Sequence, residues 1–184
     1  MKRSRRKGVF RVLSRKTVFR GYVSKLDVLQ IETASGKRVE RELIRHPGAV
    51  VIIPVLPNGR LVLVKQLRIA TGKRIWEFPA GTIEPGEPTR RCADRELQEE
   101  TGWKPGKLTK IVEYYPTPGI SNEKMYLYLA ENLRRVEGVE ADPDEEIEVR
   151  TFSPAEIERM IRTRVIVDGK TILGFFYYQN LRKS

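Results

Sequence analysis

The sequence predicts an α/β layered domain preceded by a strand-rich, basic N-terminal segment. Three observations predict it. A continuous β-branched run, Ala49–Val55, fits a strand buried on both faces. A Gly/Pro-rich loop from Pro79 to Pro88 leads into one patterned helix, Thr89–Thr101. Further short strand-like runs then alternate with two later helical stretches. A chain of 184 residues can bury a core without disulfides or a structural metal.

The elements follow in chain order. Short β-rich runs come first, at Val9–Leu13, Thr17–Val23, Leu26–Glu32 and Arg38–Ile44. Within the second run, Val18, Arg20 and Tyr22 alternate with Phe19, Gly21 and Val23. Ser35-Gly36 reads as a hairpin turn between the third and fourth runs. His46-Pro47-Gly48 then interrupts the pattern. Ala49–Val55 and Arg60–Gln66 flank Asn58-Gly59, the strongest short hairpin signal, so these two strands are expected to pair. The helix Thr89–Thr101 stops at Gly102, a good residue for the left-handed position after a helix. Strands are expected at Leu108–Tyr115, Lys124–Ala130 and Ile147–Phe152. Ser153-Pro154 supplies an N-cap and a first helical proline, and a last helix covers Lys170–Leu181.

Charge narrows the function classes. The chain carries 35 Lys or Arg against 24 Asp or Glu, a formal net charge of +11. Such an excess first suggests nucleic acid or an anionic surface. Nine of those basic residues, and no acid, lie in residues 1–20. The rest of the chain is nearly neutral, so a nucleic-acid role is disfavoured though the basic arm leaves it open. The longest apolar run, Ala49–Leu56, is too short for a membrane-spanning helix, and no apolar segment follows the basic N-terminus. A soluble cytoplasmic protein is expected. Cys92 is the single cysteine and reads as a small buried packer. His46, the single histidine, reads as a turn residue and leaves no histidine pair for a metal site or triad.

One helix carries the chemistry. Glu96, Glu99 and Glu100 stand at i, i+3 and i+4, on one face of Thr89–Thr101, while Ala93, Leu97 and Thr101 lie on an adjoining face that can pack on a sheet. Three like charges on one patch repel unless a cation joins them. Hard divalent cations take oxygen ligands, and Mg²⁺ bridges carboxylates to substrate phosphates. Arg95 reaches Glu99 at i+4 and can hold its rotamer. The preceding loop, with Gly81, Gly86 and three prolines, enforces a defined path.

Residues 81–103 read GTIEPGEPTRRCADRELQEETGW. This string resembles the Nudix box, G-x5-E-x7-R-E-U-x-E-E-x-G-U, where U is a bulky apolar residue. Gly81, Glu87, Arg95, Glu96, Leu97, Glu99, Glu100 and Gly102 match it, and Trp103 stands where an aliphatic residue is usual. The resemblance implies a Nudix-type α/β/α sandwich with a mixed central sheet from residue 48 to 184. Residues 1–47 are then an N-terminal antiparallel β region. It also implies hydrolysis of a nucleoside diphosphate linked to another moiety, with Mg²⁺ or else Mn²⁺ held by Glu96, Glu99, Glu100 and the Ala80 carbonyl. Glu99, Glu100 and Arg95 are the catalytic expectation within the box, and Glu87 supports its geometry.

The flanks resemble the ADP-ribose pyrophosphatase subgroup of that family. Val64-Lys65-Gln66-Leu67-Arg68 and Trp76-Glu77-Phe78-Pro79-Ala80-Gly81 match its pattern, with Leu67 where an aromatic is common. Pro118 stands 15 residues after Trp103, as in that subgroup. The resemblance implies Arg68 for phosphate, Glu77 for ribose or a base amine, and Pro118 beside the substrate. It further implies a glutamate base on the acidic stretch Asp142–Glu148, where Glu145 is preferred to Asp144 and Glu146. A homodimer through N-terminal strands is implied too, with Phe19 and Arg20 contributing to substrate binding. The expected reaction takes ADP-ribose to AMP and ribose 5-phosphate. Other nucleoside diphosphate sugars or dinucleotides are the near alternative, and a non-catalytic ligand- or nucleic-acid-binding regulator the distant one.

Overall fold

A computed structural model describes residues 9–136 and 147–183. Backbone contacts divide the chain into two compact units. One is the chain up to Pro47 together with Thr117–Glu123; the other is Gly48–Pro116 with the chain from Lys124 on.

The first unit is an antiparallel sheet of β1 (Phe10–Arg20), β2 (Lys25–Thr33) and β3 (Arg38–Arg45), in that order. Two strands were expected over Val9–Leu13 and Thr17–Val23; the structure has one. Irregular pairing between Val12 and Ser14 and between Thr17 and Phe19 takes up the broken alternation, so a single strand follows β2 throughout. It ends at Arg20, and Gly21 N–H bonds Ser24 O to close the turn, which leaves Tyr22 and Val23 outside the strand. Ser35-Gly36 does turn β2 into β3, with Gly36 N–H on Thr33 O. The loop 117–123 joins this unit through Ile44 N–H on Ile120 O and Asn122 N–H on Ile44 O. At the centre of the sheet Asp27 is wholly buried, 2.6 Å from Arg45 Nε and 2.7 Å from the Thr17 hydroxyl. Burial pushes its carboxyl up. The Thr17 hydroxyl, Arg45 and Arg15 outweigh that push and hold it below the usual carboxylate range.

The second unit is built on β4 (Ala49–Pro54) and β5 (Leu61–Arg68). Asn58-Gly59 does turn the chain between them, with Leu56 N–H on Arg60 O. The expected pairing stops after one bridge, Val55 to Leu61. The strands then part into different sheets because each is claimed on both edges. β4 runs parallel to β10 (Met125–Glu131) and antiparallel to β7 (Ala80–Thr82), and β9 (Lys107–Tyr114) completes that mixed sheet. β5 lies between β6 (Lys73–Glu77) and β12 (Glu148–Phe152). A two-stranded ribbon joins β8 (Trp103–Lys104) to β11 (Arg134–Arg135). Part of the segment read as loop from Pro79 is therefore strand β7, fixed by β4 rather than by its own propensity.

Alternate residues of β4 and β5 face opposite layers. Val50, Ile52 and Val62 pack with Cys92, Ala93 and Leu97 of α1 (Thr89–Thr101). Val51, Ile53, Leu61 and Leu63 pack with Ile157 and Met160 of α2 (Pro154–Arg162) and Phe175 and Tyr178 of α3 (Gly169–Leu181). This is an α/β/α sandwich, and it explains why both strands are continuous apolar runs. Ser153 caps α2 with Glu156 in a reciprocal capping box. Asp168 caps α3, and the Thr171 hydroxyl both donates to Asp168 Oδ2 and accepts the Phe78 N–H at 2.9 Å. The start of α3 thus anchors the strand that leads into the Gly81 loop. Thr171→Val would strand a buried N–H, at a cost of about 1–3 kcal/mol. Its urea midpoint should fall with the m-value unchanged.

Candidate active site

The site begins with a helix that the sheet holds on one side. Cys92, Ala93 and Leu97 are fully buried, and Gly102 ends α1 in the left-handed region at φ 67° with its N–H on Gln98 O. Glu96, Glu99 and Glu100 consequently share the neighbouring face, at graded depth. Glu100 is buried, accepting the Ala80 N–H at 3.1 Å and the Gln66 amide at 3.4 Å. The Glu96 carboxylate lies against the backbone of Gly81, where an added Cβ would collide with it. Glycine is required there by this close approach. Glu99 is the most open of the three, at 44% side-chain exposure.

Arg95 stands among these carboxylates. Its Nε and Nη2 bond the two oxygens of Glu87 at 3.0 Å each, a bidentate pair. Its Nη1 lies 2.8 Å from Glu96 and 2.9 Å from Glu99. Glu87 also accepts the Glu84 N–H, which closes the loop ahead of the helix. The Arg95 fork and this N–H hold the Glu87 carboxyl down to about 2. In return Glu87, then Glu96 and Glu99, raise the Arg95 guanidinium against the desolvation that opposes them. Burial pushes the Cys92 thiol well up, so it is an inert packing group rather than a nucleophile.

Three carboxylates around one guanidinium, with Glu100 on the same helix, leave the local charge negative. Among the described residues, no three His, Cys, Asp or Glu side chains converge as a ready ligand set, since Glu96 and Glu99 turn to Arg95. The donor chemistry nevertheless fits a hard divalent cation. It is all oxygen, on one helix face, beside a backbone that Gly81 leaves open to Glu96.

A second constellation lies at the ends of β5 and β6. Glu77 is 1% exposed. Arg68 donates to it from Nε at 3.0 and 3.1 Å and from Nη2 at 2.5 Å. Lys170 Nζ donates to the same Oε2 at 2.7 Å and lies 2.9 Å from Asp168. Glu77 was expected to meet ribose or a base amine. The structure places it beneath Arg68, with both oxygens engaged by cations. Arg68, 38% exposed, makes no hydrogen bond through Nη1 among the described residues. Sequence reading missed Lys170, Asp168 and Gln66. Only Asp168 had a local signal, as an N-cap three residues before Thr171.

Phe19, Arg20 and Pro118 belong to the first unit, where Phe19 is exposed at the end of β1. Asp144, Glu145 and Glu146 lie outside the described residues. His46 N–H bonds Asn122 Oδ1, and its ring lies 3.5 Å from Glu123.

With this geometry in place, the comparisons with known proteins are decisive for the family. The NUDIX domain family model matches residues 45–172, which includes α1, Gly81 and Glu77. The chain belongs to the Nudix family. The Nudix chain is 37% identical over 170 residues to an ADP-ribose pyrophosphatase of Bacillus subtilis (strain 168), covering 92% of each. It is 36% identical over 163 residues to a methanol dehydrogenase activator of Bacillus methanolicus, covering 88% of each. A solved structure described as an ADP compounds hydrolase shares the fold, with a TM-score of 0.83 and 23% identity. That match covers 95% of this chain and 94% of the other. The mixed sheet between helical layers is the frame on which this Nudix box is set.

The Glu87–Arg95 clamp makes a prediction about pH. A carboxyl with an ordinary value near 4.5 that is held at about 2 in the fold stabilises fully above pH 4.5. Its contribution drains away as pH falls from 4.5 toward 2. Glu87→Gln should cost about 1–2 kcal/mol at pH 7, allowing for solvent screening. The gap between wild-type and variant denaturation midpoints should narrow steadily below pH 4.5.

Proposed function

We propose that this Nudix hydrolase cleaves the pyrophosphate bond of ADP-ribose to AMP and ribose 5-phosphate with Mg²⁺, or alternatively Mn²⁺. The observation that carries this reading is the box geometry on α1, held within a chain 37% identical to an ADP-ribose pyrophosphatase along 92% of both. Glu96, Glu99, Glu100 and the Ala80 carbonyl are the oxygen donors for the metal. When bound, the ion would neutralise pyrophosphate charge and lower the pKa of a water.

The remaining roles fall to the chain's own side chains. Arg95 orients Glu96 and Glu99 from one nitrogen and fixes the loop through Glu87 from the other two. Arg68 offers its open Nη1 edge to a phosphate oxygen, while Glu77 holds the opposite edge. Glu145 is the proposed general base, taking the proton of the attacking water. Pro118, Phe19 and Arg20 are the proposed contacts to the adenosine half, within a homodimer formed through the N-terminal strands. Support for the dimer comes from β1, where Phe10, Val12, Val18 and Phe19 are exposed in a single chain. No helix among the described residues is long and apolar enough to cross a membrane. A cytoplasmic enzyme is the proposed setting.

A panel of ADP-ribose, other nucleoside diphosphate sugars and dinucleotides, assayed with Mg²⁺, tests the substrate. ADP-ribose should give the highest kcat/KM, and a poor rank would remove the assignment. Glu100→Gln should lower kcat about 10²-fold or more while the fold persists, as expected for loss of charge stabilisation at the reacting centre. Glu145→Gln should lower kcat with KM little changed, whereas an unaltered kcat would move the base to Asp144 or Glu146.

A further inference from the structure

We propose that Lys170 is a positioning residue for diphosphate binding, acting through Glu77 on Arg68. The inference rests on the reading of Arg68 as the phosphate contact and names a residue that lies 93 positions from Glu77 in the sequence.

The geometry is specific. A carboxylate as buried as Glu77 is costly unless it is paired and hydrogen-bonded. Arg68 alone already gives it a bidentate partner, yet Lys170 donates to the same Oε2 at 2.7 Å. Lys170 is itself held, 13% exposed, by Asp168 at 2.9 Å, and Asp168 is fixed as the N-cap of α3. Charge explains the second cation. Glu77 by itself would cancel the field of the guanidinium that must attract a phosphate. Lys170 adds a second positive charge from the buried side, so that with Arg68 it balances Glu77 and Asp168 where the group would otherwise be net negative. Glu77 foremost, then Glu100 and Asp168, raise the Arg68 guanidinium against its desolvation. Removing Lys170 leaves Arg68 in place but makes its surroundings one charge more negative.

The test uses Lys170→Met, Lys170→Arg, Glu77→Gln and the Glu77→Gln/Lys170→Met double variant of the full chain. Lys170→Met should raise KM for ADP-ribose about tenfold with kcat within about threefold of wild type, because a binding field is lost and not the chemistry. Lys170→Arg should restore most of that loss. ADP binding measured by calorimetry should weaken in parallel, and the effect of Lys170→Met should shrink in the Glu77→Gln background. A lowered Tm with KM and ADP affinity unchanged, or strict additivity in the cycle, would overturn the proposal. If Lys170→Met failed to fold, Lys170→Gln would be read the same way against Lys170→Arg. A wild type that bound ADP but left ADP-ribose intact would remove the proposed function alone, and the ADP cycle would still decide Lys170. A wild type that bound no ADP would overturn this proposal as well.

Discussion

The site depends on keeping three carboxylates, Glu87, Glu96 and Glu99, around one guanidinium with Glu100 buried beside them. Glu96, Glu99 and Glu100 share a helix face, and like charges at that spacing repel. Arg95 reduces the repulsion by reaching two of them from one nitrogen while its other edge grips Glu87 in the preceding loop. The arrangement ties loop, helix and chemistry into one charge-assisted network. The arrangement is held in place because α1 is fully buried alongside that face at Cys92, Ala93 and Leu97, which prevents the helix from turning its acids away.

The second clamp follows the same logic with signs exchanged. Here one buried carboxylate, Glu77, sits between two cations from distant elements. The start of α3 supplies Lys170, the Asp168 cap and the Thr171 hydroxyl that holds Phe78 N–H. Two of these groups, Lys170 on Glu77 and Thr171 on the Phe78 N–H, therefore hold the few residues that precede Gly81, and Asp168 fixes both of them. The C-terminal helix acts on the site by fixing the backbone path into the box.

The first unit gives the surplus of positive charge a structural use. Arg15 pairs with buried Asp27, together with Arg45 from β3, and Arg11 meets Glu32 across the β1–β2 pair. Part of the basic arm is thus cross-strand pairing within a sheet. That weakens the case for a nucleic-acid surface spread along it.

Much of the fold was legible because its cause is local. The helix Thr89–Thr101 and its stop at Gly102, the capping box at Ser153, and the buried character of β4 all follow from spacing and chemistry that neighbours in sequence share. The shared face of Glu96, Glu99 and Glu100 was legible for the same reason, since an i, i+3, i+4 pattern on a helix is fixed by helical geometry, and resemblance then marked it as a Nudix box. Tertiary structure decided the rest. Asn58-Gly59 specified a turn but not a hairpin, because partners from across the chain claim both edges of β4 and β5. Two expected N-terminal strands became one because pairing with β2 along its whole length outweighs two local irregularities. Glu77 is buried beneath Arg68 and Lys170, and nothing near Lys170 in the sequence signals that contact. A buried ion pair is set by which elements the core brings together, and no window of sequence contains both partners.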